Sequence, residues 1–357
     1  MTAVLELPTA REEAFRWADM PALQAARTLT PQSAAVPVAI LPDAARLVFV
    51  GGYLDRDASR PGDLAITAQT VGSDHPLGRY ASGDGHRITL APRTVTAIEI
   101  ARVNAGEDSQ TPLVITLGED AVLTLVESFT GAGWTNTLTR FDLGQGARVM
   151  RAVRIVQDAG FVSTRDEVTL SGAASFVSVA LGATAAGTRL DAALTLNGDG
   201  AYAELGGALL TRDDQRQECA VRVRHAKPNG QSHQLWRAVA ADRSTVSLAA
   251  AVEVARDAQK TDGEQSLRGL LLQRTATVNL KPELEIFADD VKCAHGATVG
   301  ELDARALFYM QSRGIPAPRA KALLTRAFVA DAIDRIADET VREVFAADAD
   351  AWLERTS

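Results

Sequence analysis

A cysteine and a histidine two residues apart, in Lys292-Cys293-Ala294-His295-Gly296, are the side chains of this sequence best suited to chemistry. A thiolate and an imidazole both ligate soft metals, and on a β-strand positions i and i+2 project onto one face. The pair is half a metal site, because structural sites usually take four ligands. Packing and hydrogen bonding are the commoner fate of a lone Cys-x-His, so a ligating role here needs donors from a partner chain.

The rest of the chemical inventory is thin. Cys219 and Cys293 are the only cysteines, too few for a disulfide framework or for the four thiolates that usually hold an iron-sulfur cluster. Of the five histidines, His75, His86, His225, His233 and His295, the middle pair His225 and His233 flank Pro228-Asn229-Gly230. That tripeptide reads as a turn, so satisfied hydrogen bonding is the expected role of both. Asp289 and Asp290 are adjacent; strand neighbours face opposite ways, which rules out a simple carboxylate dyad. Gly-x-x-x-x-Gly-Lys-Ser/Thr, Gly-x-Ser-x-Gly and His-Glu-x-x-His do not occur, so the usual nucleotide, serine-hydrolase and zinc-protease signals are missing.

The elements that carry these residues are mostly strands. Leu117-Gly118-Glu119-Asp120-Ala121, Leu143-Gly144-Gln145-Gly146-Ala147, Leu170-Ser171-Gly172-Ala173-Ala174 and Leu196-Asn197-Gly198-Asp199-Gly200-Ala201 share one design of strand, small-residue turn, strand. Their leading leucines are separated by 26, 27 and 26 residues, a period that points to a solenoid of stacked β units. A β-sandwich with evenly spaced hairpins is the alternative. From about 36 to 93, Gly, Asp and Pro punctuate short apolar runs, as in Leu41-Pro42-Asp43 and Ser82-Gly83-Asp84-Gly85, which favours strands and turns.

Helices are expected at both ends. Phe15, Trp17, Met20, Leu23 and Ala26 suit short amphipathic helices, with Pro21 dividing them into two pieces. Beyond Gly300, Leu307, Phe308, Leu323, Leu324, Phe328 and Ile333 recur at helical spacing. Gly314 suits a left-handed C-cap, and Pro316 and Pro318 a helix restart. The expected organisation is a helical region over 1–35, a β-helix core over 36–300 and a helical domain over 301–357.

At 357 residues, 46% hydrophobic and with a formal charge of -8, the chain has the composition of a soluble globular protein. The acidic balance and scattered arginines argue against nucleic acid as a partner. No run approaches the roughly 18 apolar residues of a membrane span. The opening Met1-Thr2-Ala3-Val4-Leu5-Glu6, followed by Arg11-Glu12-Glu13, lacks the basic start and apolar run of a secretory signal, so a cytoplasmic location is expected.

Two stretches, Ala258-Gln259-Lys260-Thr261-Asp262-Gly263-Glu264-Gln265 and the run from Lys281-Pro282-Glu283-Leu284-Glu285 through Asp289-Asp290-Val291-Lys292-Cys293-Ala294-His295-Gly296 to Gly300, strongly resemble the SufB/SufD family. Val126-Glu127-Ser128-Phe129-Thr130-Gly131, His225-Ala226-Lys227-Pro228 and Ser312-Arg313-Gly314-Ile315 are similar to it more loosely. The compact length and two cysteines look like the SufD branch rather than the SufB branch. Leu248-Ala249-Ala250 departs from the family, which tends to carry a Phe-x-Gly connection there.

This resemblance implies a right-handed parallel β-helix with N-terminal and C-terminal helical regions, working as a non-catalytic scaffold subunit in iron-sulfur cluster assembly. It implies a SufB-like partner joined through the β-helices, with a transient cluster at the shared interface to which His295, and with it Cys293, contribute. It further implies a SufC-type ATPase on the C-terminal domain, for which Arg313, Gly314, Leu324 and Phe328 are the candidate contacts. A homodimer when isolated is a further expectation. Two other readings compete: a carbohydrate-active β-helix enzyme, which would need acidic or basic groups along a groove, and a SufB-like scaffold able to hold a cluster alone.

Overall fold

The computed structural model describes residues 5–30 and 34–355; Met1 to Val4, on which part of the leader reading rests, lie outside the described residues. After a single 3-10 turn (Glu13–Phe15) come α1 (Met20–Ala26), β1 (Ala45–Val50), β2 (Tyr53–Arg60), β3 (Ala65–Val71), α2 (Pro76–Tyr80) and β4 (Gly83–Leu90). The long strands β5 (Val95–Leu117) and β6 (Val122–Leu143) lead into β7 (Arg148–Ile155), β8 (Ala159–Leu170), β9 (Ser175–Gly182) and β10 (Gly187–Leu196). Then follow β11 (Tyr202–Thr211), β12 (Arg216–His225), β13 (Gln231–Ala240), β14 (Thr245–Val254), β15 (Asp262–Leu271), β16 (Thr277–Ile286) and β17 (Lys292–Glu301). Helices α3 (Ala304–Ser312), α4 (Ala317–Ile333) and α5 (Glu339–Glu354) end the chain.

Parallel pairing sorts the strands into two stacks. One runs β1, the first halves of β5 and β6, then β7, β9, β11, β13, β15 and β17. The other runs β4, the second halves of β5 and β6, then β8, β10, β12, β14 and β16. The chain alternates between them, which makes a parallel β-solenoid of about eight coils. Antiparallel pairing is confined to β1 with β2 and β3 with β4, at the first coils.

The leucine period is the pitch of this stack. Leu90, Leu117, Leu143, Leu170 and Leu196 are successive register partners, continued by His225, Val254 and Ile286. All but Ile286 are buried. An antiparallel sandwich cannot align residues one repeat apart in this way, so that alternative is excluded. Leu248 to Ala250 lies inside β14 with its register unbroken, so the departure from the family pattern does not interrupt the coil.

Each repeat turns through a left-handed residue: Arg93, Asp120, Gly146, Ala173, Gly200, Asn229 and Lys260 all have positive φ. Their N–H groups donate to the turn carbonyl of the next coil, as from Asp120 to Gln145 (2.9 Å) and from Ala173 to Asp199 (2.9 Å). Stacking therefore satisfies backbone groups at the vertices as well as in the strands.

The inner faces of both stacks form one continuous aliphatic and aromatic core. Outside, α4 and α5 bring Val329, Ile333, Phe345 and Trp352 against Val179, Leu210 and Val239 of the first stack. The 3-10 turn, α1 and α2 cover Trp134 and Phe161 with Phe15, Leu23 and Leu77. Pro21 does not divide this segment. It lies in the first turn of α1, where a missing N–H is harmless, and the break falls before Asp19, whose carboxylate caps Ala22 N (3.1 Å). Gly83 to Gly85, which read as a turn, open β4 instead. Gly314 takes its left-handed cap (φ 83), and Pro316 and Pro318 open α4, as their positions indicate.

Candidate ligand pair at the open end of the solenoid

Strand β17 is the last rung of the first stack and pairs on one side only, with β15; β16 ends the second stack and pairs only with β14, among the described residues. Where other coils are buried, most of β17 is exposed and β16 is half-buried or exposed. Ile286, Phe287 and Val299 are exposed there. The solenoid core thus ends as a cut face.

Cys293 and His295 lie on this edge. Cys293 is in register with Gly263, which is in register with Ser232, and Ser232 with Ala203 of the inner core. His295 follows Gln265, Gln234 and Leu205 in the same manner. Both side chains therefore occupy inward rows of the sheet at the rung where no further coil covers them. His295 is exposed, whereas Cys293 is half-buried beside Val252 and Leu284. Burial pushes the Cys293 thiol above its usual range, against the Gly263 backbone hydrogen bond that favours the thiolate. Asp290 belongs to the preceding turn, where its carbonyl accepts from Lys260 N (2.5 Å) and its N–H donates to Gln259 Oε1 (2.9 Å).

The remaining candidates separate. Arg313 and Gly314 are exposed at the end of α3, Arg313 over the Tyr309 ring at 5.2 Å. Phe308 (73% exposed) and Tyr309 (60%) share that helix, which buries no residue. Leu324 is half-buried, and Phe328 packs toward the solenoid under Arg237, itself paired with Asp331. His225 is buried in the leucine ladder with Nε2 2.8 Å from Ser232 Oγ, and burial lowers it to about 4. Its hydrogen-bonding role is the one the turn motif suggested. Cys219 is buried and its thiol is held well above the usual range by that burial. Among the described residues no group of three or more His, Cys, Asp or Glu side chains could hold a metal ion.

One constellation was not read from sequence. Arg102, Glu127, Arg151 and Asp166 are buried together inside the solenoid. Glu127 accepts from Arg102 Nη1 (2.5 Å) and from Arg151, which also donates to Asp166 (2.5 Å). Burial works to raise Glu127, but the two guanidiniums outweigh it and hold the carboxyl at about 2. Asp166 is raised by burial, against the opposing pull of Arg151. Charged residues on inward strand positions of the 26-residue pattern were the available signal.

A parallel β-solenoid with helical ends and a cut face defines the class of this protein. The SUF system FeS cluster assembly SufBD core domain matches residues 101–328. The chain belongs to the SufB/SufD family of iron-sulfur cluster assembly proteins. The iron-sulfur cluster assembly protein SufD of Escherichia coli (strain K12) is 34% identical over 148 residues, which is 42% of this chain and 35% of that one. The SufD of Bacillus subtilis is 29% identical over 148 residues, 42% of this chain and 34% of its own. A SufBD family protein of Synechocystis is 26% identical over 385 residues, covering 93% of this chain and 84% of the relative. The matches to the two SufD proteins thus span about a third of their length, and these SufD-named relatives set the chain with the SufD type.

Proposed function

We propose that this chain is a scaffold subunit of Suf iron-sulfur cluster assembly that pairs through the cut face of its solenoid with a SufB-like subunit. The observation that supports the reading most is the position of Cys293 and His295 on the uncovered rung. A partner strand added to β17 or β16 would continue the parallel ladder. Such a partner would place its own donors beside the two, completing a ligand set that this chain does not hold alone. The nascent cluster is cargo at this interface: few, shared ligands suit release, whereas four thiolates from one chain retain. His295 is the principal donor. Cys293, when it ligates, gives up its proton.

The exposed aromatic side of α3, together with Arg313, Gly314 and α4 near Leu324, is the surface for a SufC-type ATPase, with Phe328 anchoring α4 on the solenoid. Arg237 with Asp331 and Arg154 with Asp348 tie α4 and α5 to the solenoid, so motion of the helices would reach the coils. The site of action is the cytoplasm; among the described residues no helix is long and apolar enough to cross a membrane. Isolated, the chain pairs with a second copy through the same face. Family membership favours this assembly role over the carbohydrate-active reading.

The test is co-purification of the tagged chain with SufB-like and SufC-like partners, wild type against His295→Ala, with anaerobic iron and sulfide quantification. Retention of both partners with loss of cluster in His295→Ala supports the reading. Failure of the wild type to retain either partner overturns the scaffold role, and unchanged cluster content in the variant overturns the role of His295.

A further inference from the structure

Cys293 and His295 share one edge of β17 but not one environment: the thiol is half-buried and the imidazole exposed. What stands one rung below each accounts for the difference. His295 is in register with Gln265, a full side chain that is 1% exposed in the same inward row. Cys293 is in register with Gly263, which is buried and contributes no side chain. A Cβ at Gly263 would stand 3.4 Å from Cys293 Sγ, 3.5 Å from Val252 Cγ1 and 3.7 Å from Ser232 Oγ. The thiol thus leans back over β15, where it also takes a hydrogen bond from the Gly263 backbone.

Nothing in the backbone calls for glycine at 263. Its φ is not in the left-handed region, and the three contacts of an added Cβ are ordinary van der Waals distances. A glycine inside a strand costs stability and often marks a close approach by another group. Here the approaching group is the thiol. Behind it, Ser232 Oγ is held 2.8 Å from His225 Nε2, so the far side of the space is fixed. Alanine is the largest side chain that keeps these distances; a β-branched one carries two further atoms about 1.5 Å beyond its Cβ, and its stiff χ1 leaves them little room to turn away from Sγ, Val252 and Ser232.

We propose that Gly263 is a positioning residue for Cys293: the side chain it lacks leaves the seat into which the thiol withdraws, one rung below its own strand. His295, with Gln265 beneath it, has no such seat and is presented at the edge from the start. Cys293 joins a ligand set by rotating out of the seat, toward the side where a partner strand would add to β17. The purpose of the seat rests on the scaffold reading; the seat itself is a property of the single chain.

Alkylation of Cys293 by iodoacetamide tests it, read by mass spectrometry of peptides from the full chain labelled at a concentration where sedimentation velocity shows a single copy. Buried Cys219 reports any loss of fold. The labelling rate follows the fraction of time the thiol spends outside the seat. Wild-type Cys293 is expected to label at least about fivefold more slowly than in the urea-unfolded chain, Gly263→Ala within about twofold of wild type, and Gly263→Val at least about fivefold faster, with Cys219 protected throughout. A wild-type rate equal to that of the unfolded chain overturns the seat, and a Gly263→Val rate equal to wild type with Cys219 protected overturns the role of Gly263. The wild-type comparison decides the matter even where Gly263→Val does not fold. No arm needs a partner or a cluster, so a failed co-purification leaves this result standing, and a failed labelling result leaves the scaffold reading standing.

Discussion

Four charged side chains stand inside the solenoid where aliphatic ones would pack, and they are tolerated because two guanidiniums face two carboxylates. Removing one member strands a charge in a low-dielectric interior. Arg151→Met is expected to cost about 3–5 kcal/mol, read as a lower urea midpoint, because it leaves Glu127 one partner short and Asp166 with none. A second residue-scale effect comes from His225. The unfolded imidazole takes a proton near 6.5, whereas the folded one, kept neutral by burial, resists protonation to about 4. Stability is therefore full above pH 6.5 and falls as the pH drops toward 4, by up to about 3 kcal/mol from this group. His75, lowered to about 4 chiefly by burial and 3.4 Å from Asp191, acts in the same direction. Denaturant titrations across that range check both, and His225→Gln is expected to flatten the slope. Cys293 and His295 were legible as a pair because their spacing alone places them on one face. The ion group was not, since its members are paired across 25, 24 and 15 residues and only the coil brings them together.

Among the elements, the corners bear most of the geometric constraint. Gly131, where β6 passes from one stack to the other, has φ 86, and a Cβ there would stand 2.0 Å from the Asn104 carbonyl oxygen. Gly131→Ala combines left-handed strain with overpacking against backbone and is expected to lower stability by at least about 2 kcal/mol in thermal or urea unfolding. The strands of the repeat were readable because one leucine position recurs through five successive rungs, from Leu90 to Leu196, and α4 because its apolar spacing is long and regular. The five-residue α2 left no comparable periodicity. Pro21 misled because a proline that opens a helix and one that ends it look alike until the preceding Asp19 is recognised as the cap. Which strands face which was not legible at all, because period-two alternation does not say which stack a strand joins.

For the whole molecule, the two ends of the solenoid differ, and the proposed pairing uses the uncovered one. Antiparallel strands β2 and β3 are added to the first coils, while β16 and β17 offer unpaired parallel edges with the exposed Ile286, Phe287 and Val299 beside them. Native proteins protect such edges with charge. Val299→Lys places one on an inward row of β17, and is expected to convert a self-associating chain to monomer in sedimentation velocity and to weaken capture by a SufB-like partner, with little change in melting temperature. Unchanged sedimentation in both proteins would remove the cut face as the contact.

The ladder of left-handed turns also makes the length of this molecule quantised. From β1 to β17 the first stack takes eight steps, roughly 38 Å at about 4.8 Å each. Each step ends in the same turn geometry and begins in the same register, so the vertices absorb extra residues while the strands stay aligned. Insertion or deletion of a whole coil would move the edge that carries Cys293 and His295 by one step relative to the first coil, and leave the geometry of that edge intact. The solenoid is in this sense a ruler: it sets the distance between its two ends in units of a single rung.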